Sequence, residues 1–225
     1  MSAALAITPV RRSPLSQRHR ALGARFGERG EWPATYGDLQ RERRALRERV
    51  GLVDAGPLDK IAIAGDLPAR SALPAMRAGA ITTGEVDGRA ARLWCLADDE
   101  ALLIAPGVDA HSSDALLATI ETNGGSATDV SSAYAMLQLI GPRARDVLEE
   151  LYPEDVSEEA FPDRAIGFGP LANVAVTIAR LDHGGVPGFA ILVERDHAEH
   201  IWDALLTIGA RHGIEPVGGA ALAED

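Results

Sequence analysis

ALLIAPGVDAHSSDALLATIETNG (101–124) lies over AILVERDHAEHIWDALLTIGARHG (190–213) at a constant offset of 89 residues, without a gap. Identities include Ala101/Ala190, His111/His200, Asp114/Asp203, Leu116/Leu205 and Gly124/Gly213. Each copy reads as a short apolar strand, a polar loop and an amphipathic helix. A second block agrees once one residue is deleted. IAIAGDLPARSAL (61–73) and LQLIGPRARDVL (137–148) share a strand, a glycine and a helix bearing Ala-Arg. The chain therefore reads as a duplication, with halves at about 52–125 and 126–217, each running strand, helix, strand pair, helix. Short turns between the strands predict antiparallel sheets with helices packed on one face, an α+β fold. A duplication of this kind places a ligand in the crease between its halves.

Working outward, residues 1–14 read as an N-terminal arm and 15–225 as a single domain. LSQRHRALGARF (15–26) has helical spacing of Leu15, Leu22 and Phe26. RGEWPATYGD (29–38) reads as a loop, after which Asp38 caps a helix that runs to about Val50 and ends at Gly51. That helix carries Arg41, Arg43, Arg44, Arg47 and Arg49. They read either as an anion-binding patch or as a solvated face interleaved with Glu42 and Glu48.

With 225 residues the chain is long enough for a sizeable core. A net charge of −11 repels phosphate backbones, so nucleic acid is not an expected partner. No apolar run is long enough to span a membrane as a helix, and MSAALAITPVRRSPL lacks the apolar stretch of a secretory signal. These features point to a cytoplasmic protein. Cys95 is the only cysteine, which excludes an internal disulfide. GxGxxG after a strand, GxxxxGK[ST] and GxSxG are all absent. His197 and His200 could share a helix face and hold a metal with His183 or His212, or be surface residues at a helix start. Cys95 reads as a buried small hydrophobe, with a nucleophile as the alternative. Asp98, Asp99 and Glu100 suit acid–base work or a solvated turn.

LSQRHRALGARF, then Trp32 and Tyr36, then YGDLQRERRALRERVGLVDAGPLDKIAIAG, resemble the opening of the glycine-cleavage aminomethyltransferase family. IGPRARDVL, LDHGGVPGFAILVERDHAEHIWDALL and GIEPVGGAAL resemble later segments in the same order. The resemblance implies a tetrahydrofolate pocket between two related α+β halves. In that family a C-terminal barrel domain follows where this chain ends. The shorter gamma subunit of heterotetrameric sarcosine oxidase is also similar, notably around ARLWCLADDEALLI.

In the folate enzymes the turn before the last strand reads Gly-Tyr-Thr-Gly-Glu-x-Gly-Phe-Glu. Laid on Gly188-Phe189, it puts His183 at the tyrosine, Val186 at the first glutamate and Ala190 at the second. The resemblance thus implies a ligand site formed by Trp32, Tyr36, Arg180, His183, Val186 and Ala190, without the two pterin-binding carboxylates. Each charge-assisted hydrogen bond lost costs about 1.5–3 kcal/mol, so two weaken folate by roughly two to four powers of ten. Asp87 is the candidate for the catalytic aspartate, displaced by a few residues. Gly56-Pro57 replaces the family's Ser-His.

The expectation is an aminomethyltransferase-like, tetrahydrofolate-binding domain protein of one-carbon or methylamine metabolism. Its pocket is altered, and it acts as a homo-oligomer or as a subunit of an amine-oxidising complex. The alternative is a non-catalytic subunit of a sarcosine-oxidase-like flavin amine oxidase. Surface that a barrel covers in the family is expected to be covered here by another copy or a partner.

Overall fold

The computed structural model describes residues 12–27, 32–65, 77–86, 89–106, 118, 121–122 and 125–223. Two sheets form the centre of the molecule. The six-stranded sheet contains β3 (Val50–Asp54), β9 (Tyr134–Ile140), β10 (Ile166–Leu171), β11 (Val174–Arg180), β12 (Gly188–Glu194) and β13 (Ile214–Val217), in the order β10-β11-β12-β9-β3-β13. The five-stranded sheet contains β4 (Asp59–Ala64), β5 (Ile81–Val86), β6 (Arg89–Cys95), β7 (Glu100–Ala105) and β8 (Ser126–Asp129), in the order β5-β6-β7-β4-β8. All pairings are antiparallel except β13 with β3. The fold is α+β, as the turn lengths and apolar patterning predict.

The core has layers that follow strand alternation. On one face of the six-stranded sheet, Leu52, Leu137, Leu139, Ile178, Phe189 and Ile191 meet helices α3 (Ala144–Glu149) and α4 (Ala198–Gly209). The helices contribute Val147, Leu148, Ile201, Trp202 and Leu205. The opposite face meets the other sheet. There Met136, Ala179, Ala190 and Leu192 pack with Trp94, Leu102 and Ile104. Beyond it, Ile61, Ile63, Leu93, Cys95 and Leu103 are buried on the far face of the five-stranded sheet.

The duplication is visible in reciprocal hydrogen bonds. Ile81 N–H donates to the Arg164 carbonyl and Ile166 N–H to the Gly79 carbonyl, both at 2.9 Å, across the bridge Ala80–Ala165. Ala55 N–H donates to Met136 O at 2.8 Å, and Val130 N–H to Lys60 O at 2.9 Å. These pairs mark a pseudo-twofold axis. In the second half β9 is followed by the helix Ala144–Glu149 and then by three strands, β10, β11 and β12, rather than by a strand pair. The halves also exchange strands: β3 precedes β4 in the chain but pairs with β9, whereas β8 precedes β9 but pairs with β4.

Three local expectations change. The ungapped match equates Ala101 with Ala190, but these face different layers, Ala101 on the far face and Ala190 between the sheets. Ala190 pairs with Ala179 and Gln138; its counterpart by register is Leu102, which pairs with Trp94 and Ala62. A one-residue slip inverts every side chain of a strand, and sequence identity does not detect it. The matched helix residues His111, Asp114 and Leu116 lie outside the described residues, as does the 66–76 segment.

Helix α1 (Ser16–Ala21) is shorter than the 15–26 pattern suggests, because Gly23 adopts φ +77° and turns the chain into β1 (Arg25–Phe26), which pairs with β2 (Pro33–Thr35). Helix α2 (Leu39–Glu48) starts as expected, with the Asp38 carboxylate accepting from Arg41 N–H at 3.0 Å. It ends before Val50 and Gly51, both of which belong to β3. Gly51 is not a helix stop. A Cβ there would approach Leu46 and Val217 side chains at 2.6 and 2.8 Å, so the glycine admits close packing of α2 and β13.

Candidate functional site

The turn between β11 and β12 is built from glycines. Gly184 (φ +57°) and Gly185 (φ +83°) form a two-residue hairpin turn closed by His183 N–H to Val186 O at 2.9 Å and Val186 N–H to His183 O at 3.1 Å. Below it, a Cβ on Gly188 would lie 2.1 Å from the Leu181 carbonyl oxygen. The two strands therefore close on each other with no room for any other residue at 188. This geometry separates the candidate residues of the turn. His183 and Val186 line a groove of about 310 Å³, together with Arg43, Leu46, Arg47, Ile140 and Leu222. Ala190 lies on the far side of the strand, 1 % exposed, between the sheets.

Arg180 is buried, and each nitrogen of its guanidinium has a partner. Nε and Nη2 donate to Asp182 at 3.0 and 2.9 Å, and Nη1 donates to the Phe161 carbonyl at 2.9 Å. The hydrogen bond it donates to Asp182 is the main cause of its raised pKa. Arg180 holds the 158–163 segment against the hairpin, and each donor direction used there is lost to a ligand.

Trp32 and Tyr36 belong to a second cluster, at the end of β3. The Asp54 carboxylate accepts from Ser13 Oγ at 2.5 Å, from His19 Nε2 at 2.9 Å and from Gly56 N–H at 2.8 Å. The other ring nitrogen, His19 Nδ1, lies 2.7 Å from the Tyr36 hydroxyl. Neutral His19 satisfies this arrangement in one tautomer: Nε2–H donates to Asp54, and Nδ1 accepts from Tyr36. Burial, then the Asp54 and Glu42 carboxylates, push the Tyr36 phenol well above its ordinary range, so it stays a donor. Trp202 meets the His19 ring edge-on at 5.1 Å. Gly56 faces the Trp32 indole so closely that a Cβ would come within 2.4 Å of Nε1. That contact explains a glycine at this position. Sequence reading found Trp32 and Tyr36 but not the Ser13–His19–Asp54 chain behind them. The signal was Asp54 in Asp-Ala-Gly-Pro, with His19 in the helical segment 15–26.

Glu42 is not on a solvated face. It is buried and accepts from Thr35 Oγ1, Tyr36 N–H and Gly218 N–H at 2.5, 2.6 and 2.8 Å. Arg41 and Arg49 both pair with Glu215. The α2 arginines thus divide between a structural role and the groove. Asp87 lies outside the described residues. Cys95 is fully buried, and burial pushes its thiol up. His200 Nε2 lies 3.0 Å from the Ala172 carbonyl, whereas His212 pairs with Glu150. Among the described residues no group of three or more His, Cys, Asp or Glu side chains is placed to hold a metal ion.

A pterin presents ring N–H donors that need acceptors, and carboxylates serve that purpose in the folate family described above. Here the two matching positions present an isopropyl group and a buried methyl group. The crease at Ala190 is filled by Trp94, Met136 and Ile104. Neither the Val186 nor the Ala190 side chain can accept a hydrogen bond from a pterin N–H.

Comparison with known proteins follows the same lines. The profile of the GCVT N-terminal domain matches residues 15–224. An aminomethyltransferase of Saccharopolyspora erythraea is 31% identical over 225 residues, covering 92% of this chain and 60% of that protein. One from Desulforamulus reducens is 26% identical over 227 residues, covering 93% and 61%. The chain thus spans about 60% of the length of these relatives. Among solved structures, the glycine cleavage system aminomethyltransferase T of Bartonella henselae superposes with a TM-score of 0.74 at 25% identity, over 95% of this chain and 61% of that one. A chain of the heterotetrameric sarcosine oxidase of Corynebacterium sp. U-96, in complex with pyrrole 2-carboxylate, gives 0.63 at 24% identity, over 96% of this chain and 100% of that one, a likeness of fold.

Proposed function

Because the chain belongs to the GCVT N-terminal domain family, we propose that it is an aminomethyltransferase-like domain protein of one-carbon or methylamine metabolism. Its folate pocket is degenerate, and it acts with a partner chain instead of transferring aminomethyl groups alone. Residues 15–225 form one folate-binding-type domain in this reading, and the setting is cytoplasmic. The observation that carries it is the crease at Ala190. A methyl group 1 % exposed, packed with Trp94 and Met136, stands where the resemblance puts a carboxylate. Arg180 adds support, since its donors are committed to Asp182 and Phe161. The partner is suggested by Phe168, 53 % exposed on β10, an edge strand of its sheet among the described residues.

The test is calorimetric titration of the full chain with tetrahydrofolate, beside an aminomethyltransferase that has both glutamates. Two lost charge-assisted hydrogen bonds predict binding about 100- to 10,000-fold weaker than in the comparator. Equal affinity would show that other acceptors have taken over, and the proposed degeneracy would be wrong.

A further inference from the structure

The groove bounded by α2, the β11–β12 turn and residues 221–223 has a chemistry of its own. Its floor is apolar, made by Leu46, Ile140, Val186 and Leu222. Among the described residues its charged and titratable lining is Arg43, Arg47 and His183, with no carboxylate, in a chain whose net charge is −11. The local sign is therefore opposite to that of the whole molecule. The arginines flanking these on α2 are spent on Glu215. The Arg47 and His183 side chains, by contrast, make no hydrogen bond or ion pair among the described residues. A volume of about 310 Å³ lies at the small end of ligand pockets.

We propose that this groove binds a small apolar carboxylate. The carboxylate sits on the Arg47 guanidinium, whose planar fork matches two oxygens, and the apolar body lies over Leu46, Val186 and Leu222. An amine of the same length meets like charge at the rim and is rejected. The inference rests on the reading that this turn does not serve tetrahydrofolate, since it uses Val186 as apolar floor.

The experiment titrates the full chain with octanoate, 1-octanol and octylamine by calorimetry. Octanoate is expected to saturate with a dissociation constant of about 0.1–1 mM. The alcohol should bind at least tenfold more weakly, and the amine should give no binding heat. Arg47→Glu, at an exposed position with the fold checked by circular dichroism, should weaken octanoate tenfold or more. Equal binding of alcohol and carboxylate, an unaffected Arg47→Glu variant, or no saturation by octanoate each overturns the proposal. Such a failure beside weak tetrahydrofolate binding leaves the functional reading standing. Tight tetrahydrofolate binding overturns that reading itself.

Discussion

Val186 and Ala190 are four residues apart, yet a charge placed on each meets a different fate. Val186 is partly exposed in an open groove, so the carboxylate of Val186→Glu reaches water. Ala190→Glu would put a carboxylate in the apolar layer of Trp94, Leu102, Met136 and Leu192. An unpaired buried charge costs about 3–5 kcal/mol, against under about 1 kcal/mol for the exposed change. Urea unfolding should show a large loss for Ala190→Glu alone; equal midpoints for both variants would mean the crease opens to solvent. The sequence could name both positions, but not this difference, because exposure depends on what the opposite sheet contributes. Tyr36 allows a pH test. Its folded pKa is raised by burial and by Asp54 and Glu42, whereas in the unfolded chain it ionises near pH 10. The unfolded state therefore releases a proton first as pH rises. The stability contributed by the neutral phenol is complete below about pH 10 and declines above it. Thermal midpoints from pH 9 to 11 should fall for the native chain and fall less for Tyr36→Phe. Parallel curves would sever the link to this phenol.

The elements that were legible from sequence are those whose signals are local. Asp38 capped α2 as its side-chain chemistry requires, and Gly184-Gly185 made the hairpin turn that the glycine pair implies. Non-local causes were invisible. Gly51 looked like a helix stop, but it is a glycine because Leu46 and Val217 crowd it from two other elements. The slip that separates Ala101 from its structural counterpart arises in the pairing of β7, not in its composition. Gly188 belongs to the same class. Nothing in its neighbours announces that β11 and β12 converge there until a Cβ would touch the Leu181 carbonyl at 2.1 Å. Gly188→Ala must push the strands apart and disturb the Leu181 N–H to Gly188 O bond of 2.8 Å. Its expected cost is roughly 2 kcal/mol or more, read as a lower denaturant midpoint. Gly184→Asn should cost under about 0.5 kcal/mol, because asparagine adopts the same turn. Indistinguishable midpoints for the two variants would rule out steric closure at 188.

At the scale of the molecule, the strand exchange decides whether the duplicated halves are separable. Cutting the chain between residues 125 and 126 looks natural from the sequence repeat, since each product keeps one full copy. The sheets say otherwise. The fragment 126–225 lacks β3, so β9 loses one of its two neighbours and β13 loses the strand it pairs with among the described residues. The fragment 1–125 loses β8 from β4. Each fragment also loses one side of the crease, where Trp94, Leu102 and Ile104 meet Met136, Ala190 and Leu192. Exposing that apolar surface and a central strand edge removes far more free energy than the few kcal/mol by which domains of this size are stable. Neither fragment is therefore expected to fold alone, and the intact chain should unfold in one cooperative transition despite its internal repeat. Circular dichroism of the separate and mixed fragments tests this: disorder apart and native-like strand signal on mixing is the predicted result. A folded 126–225 fragment, or two resolved calorimetric transitions in the intact chain, would show that the exchange of β3 and β8 is not what binds the halves into one unit.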